Sequence, residues 1–365
     1  MAPETSSPLI VDAIGVRVGI DLQTLDAGAR SAVRSAWEGA RVSGAVTAQV
    51  RVAPDDALGR AALLSALSST VTQAAIERRR GDLWMLHAAG VAGPDGGVVV
   101  LAGPSGAGKT TATRALARSW GYVSDETIGV EADGRVHGYR KPLSVITDGQ
   151  GYKVQHAPSD LGLLPLPASP LRARRVVLLD RDDAYTRPRL VPVPASEALV
   201  LLAPHSSALA SMRDPLRLMA SVLAQTGGLL RAEYAESVDL MALVGGLMGD
   251  ELNAVIERVE PAPAVPAPRR AAASDGAVRY RRGAVVDSCA LPDDRIALLS
   301  AEPDGRGTLR ILAGAAPALW LAADDSTRDD LLNAATGGAP YDEAARAVDD
   351  VLSQLVEAGL LTVTR

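Results

Sequence analysis

Residues 97–110 read Gly-Val-Val-Val-Leu-Ala-Gly-Pro-Ser-Gly-Ala-Gly-Lys-Thr, and no other stretch constrains the fold as strongly. A short apolar run of the buried-strand type leads into a match to G-x-x-x-x-G-K-[ST] at 103–110. A helix predicted over 109–120, capped by Gly121, follows directly. The order strand, glycine loop, helix predicts a phosphate cradle made of Gly103, Pro104, Ser105, Gly106, Ala107, Gly108, Lys109, Thr110 and Thr111. The glycines let the backbone turn and aim N–H groups at phosphate oxygens, and the helix adds its positive N-terminal end. Lys109 is expected to reach the β and γ phosphates of ATP, and Thr110 to offer its hydroxyl to Mg²⁺. Only three of the chain's 37 basic residues are lysine (Lys109, Lys141 and Lys153), an arginine bias of the kind a GC-rich genome produces. A lysine kept at this position points to chemistry rather than chance.

Strands alternate with helices on both sides of the loop. Residues 9–20, 45–53, 97–102, 121–125 and 175–180 read as strands, and 57–78, 195–204, 214–226 and 236–248 as helices. The pattern predicts an α/β domain over 1–260 with a mainly parallel sheet core, divided into an N-terminal subregion at 1–83 and a nucleotide-binding core at 84–260. Residues 261–274 (PAPAVPAPRRAAAS) read as a stiff, extended Pro/Ala linker. Beyond it, 275–365 predicts short strands at 283–287, 295–301 and 307–313. Helices near 315–323, 326–335 and 341–358 follow, then a closing strand: a small winged-helix-like domain. In the last helix Val348, Val351, Leu352 and Leu355 share one apolar face, and Gly359 is its expected cap.

Charge and composition narrow the classes. The net charge is -6, and residues 275–365 carry all of it, with 15 acids against 9 arginines. Neither part has the basic surplus of a nucleic-acid binder. No apolar run approaches the ~18 residues of a membrane helix, and the first residues lack a secretory signal's basic region. The single cysteine, Cys289, has no internal disulfide partner, and no Cys/His spacing suits zinc. A cytoplasmic bacterial protein is the expectation.

A metal carboxylate and a base must come from outside the loop. Asp125-Glu126 and Asp180 both end apolar strands, where an acid points toward the phosphate site, and the residues alone leave the two candidates near equal. His87, just before the loop strand, reads equally as an active-site group or a buried capping histidine. Lys141 reads equally as a phosphate or substrate contact and as a solvated loop residue.

Leu86-His87-Ala-Ala-Gly-Val, the loop stretch, GYVSDE at 121–126 and GYRKPLSV at 138–145 resemble the HPr serine kinase/phosphorylase-like P-loop proteins, most closely the kinase-like proteins of peptide natural-product clusters, including lasso-peptide kinases. The resemblance spans about 8–250. It implies that His87, Asp125 and Glu126 belong to the catalytic site, and that Asp125 rather than Asp180 contacts Mg²⁺ or takes the proton of the attacking hydroxyl. The HPr enzymes usually carry two aspartates where this chain has Asp125-Glu126, and their Gly-Arg-Asn segment is not recognisable after residue 193. HPr as substrate and a reverse phosphorylase reaction are therefore not expected.

Residues 280–364 resemble the PqqD-like RiPP recognition elements, which bind precursor leader peptides. The last helix carries Asp342, Glu343, Asp349, Asp350 and Glu357 against Arg346, a poor charge for reading duplex DNA. Together the resemblances imply an ATP- and Mg²⁺-dependent kinase of a Ser or Thr hydroxyl on a ribosomally made precursor peptide, with other biosynthetic enzymes as further partners. The alternatives are a leader-peptide escort that binds nucleotide without transfer, and a kinase of a small molecule or another protein.

Overall fold

The computed structural model describes residues 7–104, 106–145, 154–249, 265, 277–291, 294–302, 307–336 and 341–364. The expected linker, apart from Val265, and the loop residue Ser105 lie outside these. The described chain is a mixed α/β structure.

The first strand segment is a hairpin. β1 (Leu9–Ala13) pairs antiparallel with β2 (Val16–Ile20) across Ile14-Gly15. Both turn residues have positive φ, the geometry that matches the twist of a two-residue hairpin. A Cβ on Gly15 would also sit 2.6 Å from Nδ1 of His137. After α1 (Ala27–Ala36), β3 (Val50–Val52) extends this sheet in parallel beside β2, and α2 (Arg60–Arg78) packs on it. Val11, Val18, Trp37, Leu67 and Val71 form the core of this N-terminal layer.

The central region, residues 84–248, holds three further sheets among its described residues. β4 (Trp84–Leu86), β5 (Ala88–Ala92) and β6 (Gly97–Ala102) lead to α3 (Lys109–Leu116) and β7 (Gly121–Ser124). Next come β8 (Ile128–Val130), β9 (Val136–His137), β10 (Leu143–Val145), β11 (Val154–His156), β12 (Arg172–Arg181) and β13 (Arg189–Val193). The region closes with α4 (Ala195–Leu202), β14 (Ser206–Ser207), α5 (Pro215–Gln225), β15 (Leu229–Tyr234) and α6 (Asp239–Met248). The main sheet has the order β13-β15-β12-β6-β5-β7, a second runs β14-β4-β8-β9, and the smallest is the antiparallel pair β10-β11.

Only the centre of the main sheet is parallel: β12 pairs in parallel with β6 and β15, while β5 and β13 pair antiparallel with their neighbours. The expectation of a mainly parallel sheet is corrected to a mixed one. β5 and β6 are joined by a tight turn at 93–96, and a turn that short permits only antiparallel pairing. The loop helix also stops earlier than expected, at Leu116 with Ala117 as its cap, and Gly121 instead opens β7, where a Cβ would meet the Pro165 carbonyl at 2.8 Å.

The C-terminal region begins with β16 (Arg279–Arg282), β17 (Asp287–Ala290), β18 (Ile296–Ala301) and β19 (Gly307–Leu312). α7 (Ala316–Ala322), β20 (Asp324–Thr327), α8 (Arg328–Thr336), α9 (Tyr341–Glu357) and β21 (Leu361–Thr364) complete it. The sheets are β17-β18-β19 and β20-β16-β21. Gly359 ends α9 as expected, with positive φ and the Leu360 N–H returned to the Leu355 carbonyl at 2.9 Å. Side chains alternate along β18, so Ile296 and Leu298 join the core of α7–α9. Ala297 and Leu299, with Cys289 and Leu291, instead join Leu199, Leu202, Leu209 and Leu216 of the central region. The three-stranded sheet is thus buried on both faces. Asp287 reinforces the junction: its Oδ2 accepts from the Leu216 N–H at 2.8 Å, at the start of α5, whose own preceding residue Asp214 makes no capping bond. No helix among the described residues is long and apolar enough to cross a membrane.

Candidate functional site

β6 delivers the chain to Gly103, which packs close: a Cβ there would lie 3.2 Å from Ala107 and 3.4 Å from Leu179. Gly106 and Gly108 have φ of +88° and +80°, and a Cβ on either would meet nothing within 4 Å. Glycine is needed there for the backbone turn, and the outer side of the loop is open. Gly108 is the N-cap of α3 and no side chain caps the helix, so the first-turn N–H groups and the helix dipole face a space suited to an anion. Lys109 is buried, and its ammonium folds back to donate to the carbonyls of Gly103 at 2.7 Å and Pro104 at 3.0 Å.

β7 ends beside this loop and supplies the acid pair. Ser124 Oγ accepts from the N–H groups of Glu126 and Thr127, which turns the chain at the strand end. Thr110 Oγ1 donates to Asp125 Oδ2 at 3.2 Å, and the Tyr122 hydroxyl lies 3.1 Å from Asp125 Oδ1 and 3.2 Å from the Lys141 carbonyl. Asp125 is buried and Glu126 half-buried. Burial and the neighbouring Asp125 push the Tyr122 phenol well above its ordinary range, so it stays a neutral donor.

Lys141 is wholly buried, against the solvated reading of the sequence. Its Nζ lies 2.9 Å from Glu126 Oε2 and 3.6 Å from Asp125 Oδ1. It also donates to Pro142 O at 3.1 Å and to the hydroxyls of Ser68 and Ser144, each at 3.3 Å. Burial works against its charge, but the two carboxylates outweigh burial and hold its pKa above the ordinary lysine value.

A cavity of about 470 Å³ opens here, lined by His87, Gly106, Gly108, Lys109, Thr110, Thr111, Arg114, Asp125, Glu126, Ser144, Val145 and Arg181. Both acids, His87 and the loop therefore meet in one place. Asp180 does not line it; its Oδ2 accepts from the Tyr185 hydroxyl at 2.9 Å, and the next residue, Arg181, faces the cavity instead.

Sequence reading missed Arg114, Ser144, Arg181 and His205. Arg114 lies one turn beyond Thr110 on α3, a spacing that could have drawn notice. His205 has no local signal. Its carbonyl accepts from the His87 N–H at 2.7 Å, and burial, then the charge of Lys109, lowers its imidazole pKa. No protein-family model matches this chain, and no curated protein matches it.

Proposed function

We propose that the chain is an ATP-dependent phosphotransferase of the HPr-kinase-like P-loop class, acting on a Ser or Thr hydroxyl of a ribosomally made precursor peptide in the cytoplasm. The observation that carries this reading is the hydrogen bond from Thr110 to Asp125, beside Lys109 and an open glycine loop. A hydroxyl and a carboxylate are hard oxygen donors of the kind Mg²⁺ takes, and Mg²⁺ draws most of its remaining shell from water and phosphate. Thr110 and Asp125 would hold Mg²⁺, which when bound would neutralise charge on the β and γ phosphates.

The chain's own groups divide the remaining work. The N–H groups of the loop and of the first turn of α3 bind phosphate oxygens. Lys109 exchanges two neutral carbonyl partners for charged phosphate. Arg114 and Arg181 add positive charge to the cavity wall. His87, on the same wall, orients the acceptor hydroxyl and receives its proton.

The C-terminal region is read as a PqqD-like winged-helix module that holds the leader. β17 and β19 each leave one edge of their sheet unpaired by a named strand, and an extended peptide can add there through main-chain hydrogen bonds. Asp349 on α9 is engaged by Arg328 at 2.6 Å, while Asp350 and Glu357 remain exposed, a surface suited to a leader with basic residues and poorly suited to duplex DNA.

The test is incubation of the full chain with ATP, Mg²⁺ and a candidate precursor, read as a mass gain of one phosphate that Lys109→Ala and Asp125→Asn abolish. Tight peptide binding with no gain in the wild type replaces the kinase with the escort. Duplex DNA binding that falls steeply with salt overturns the peptide reading.

A further inference from the structure

We propose that Lys141 is a positioning residue that divides the acid pair, holding Glu126 to itself and leaving Asp125 to Thr110 and the cation. The inference rests on the nucleotide-site reading above and deepens it. A fully buried ammonium persists only with counter-charges and hydrogen-bond acceptors around it. Lys141 has both, in two carboxylates, two serine hydroxyls and a carbonyl. Its distances to the acids are unequal: Glu126 is a direct partner at 2.9 Å, whereas Asp125 at 3.6 Å is a charge neighbour already engaged by Tyr122 and Thr110.

Two adjacent carboxylates would place a charge of −2 where a polyanionic nucleotide must dock. With Lys141 the trio carries −1, and one carboxylate is turned from the cation. The hydrogen bond to Ser68 has a second consequence. Ser68 sits on α2, in the N-terminal layer, and Thr72 one turn later hydrogen-bonds the Tyr139 hydroxyl at 3.1 Å. The layer formed by residues before 83 thus reaches the acid pair through Lys141 and is part of the site.

The experiment uses the full chain and Mn²⁺ alone as the probe, read by electron paramagnetic resonance without nucleotide. Removal of Lys141 as Lys141→Met releases Glu126 to join Asp125, so Mn²⁺ should bind about tenfold tighter than to wild type. The double variant Lys141→Met/Glu126→Gln should return the affinity to the wild-type value. In phosphate transfer, Lys141→Met should lower kcat and raise the KM for ATP, because the second carboxylate is then uncompensated beside the triphosphate. An unchanged Mn²⁺ affinity in folded Lys141→Met overturns the proposal. Should Lys141→Met fail to fold, the polar Lys141→Gln is read in the same way: Mn²⁺ binding tightened about threefold or more supports the division, and a smaller change overturns it. The Mn²⁺ pattern does not depend on transfer, so a protein that keeps the pattern yet transfers no phosphate defeats the kinase reading and leaves the role of Lys141 standing.

Discussion

At the loop end of the six-stranded sheet the buried groups include three charged ones, Lys109, Asp125 and Lys141, each held by hydrogen bonds or an opposite charge. At the junction with the C-terminal sheet the buried groups are Cys289, Leu291, Ala297 and Leu299, with Asp287 the polar exception. Burying charge is costly even when paired, and apolar contact holds two layers together at less cost. A fold that needed only adhesion at the loop end would do better with apolar side chains there. The contrast supports the chemistry proposed for the first region and attachment for the second. The three-stranded sheet is seated on α4 and α5, so a peptide bound at its edge would be held at a fixed place on the core.

Substitutions at three positions can break that contrast. Lys109→Ala should reduce phosphate transfer by about 10²- to 10³-fold, the usual loss of one preorganised charge-stabilising donor. Its thermal midpoint should stay close to wild type; a large drop would make Lys109 structural and erase the distinction. Leu299→Ala should do the reverse, costing about 3 kcal/mol in denaturant unfolding as a buried large-to-small change. Nucleotide affinity, measured by calorimetry on the folded fraction, should hardly move, and a parallel loss would show that the junction serves the site directly. Asp287→Ala removes a helix cap supplied by a distant strand and should cost about 1 kcal/mol. Asp287→Asn keeps an acceptor for the Leu216 N–H and should recover most of that, and equal losses in the two variants would sink the capping role.

Legibility in the sequence followed the range of the interactions. The glycine loop was readable because strand, turn and helix are contiguous. β15, which lies beside β12 in the sheet, was not read as a strand because Arg231 and Glu233 interrupt its apolar run. The structure pairs them with Glu197 at 2.6 Å and Arg189 at 2.5 Å, partners far away in the chain. β5 (AAGVA) is fully buried but made of residues too small to look like a core strand. In the site, Asp125 and Asp180 have the same local context; the resemblance favours Asp125, and the structure places that residue, not Asp180, on the cavity wall beside Thr110. The burial of Lys141 depends on Ser68 from one side and Glu126 from the other, so no window of sequence contains it. Cys289, expected to form no disulfide, is buried at the junction with its thiol pushed up to about 11 by burial and by Asp287, an inert packing residue.

The smallest expected effect sharpens the contrast from the polar side. His205 in the folded chain has its pKa below the ordinary 6.5, first through burial and then through the charge of Lys109. Between that depressed value and 6.5 the unfolded chain binds more protons than the folded one, so stability from this group is complete above pH 6.5 and is lost as pH falls through the window. Thermal midpoints recorded across that window should therefore fall less steeply in His205→Asn than in wild type; equal slopes would remove His205 from the account. Nucleotide gives the more specific readout. Polyphosphate beside Lys109 cancels part of the field that disfavours imidazolium, so an NMR titration of His205 should move toward higher pH when ATP is added. A titration unmoved by saturating ATP would mean that the triphosphate does not settle against Lys109, even if it binds elsewhere in the cavity.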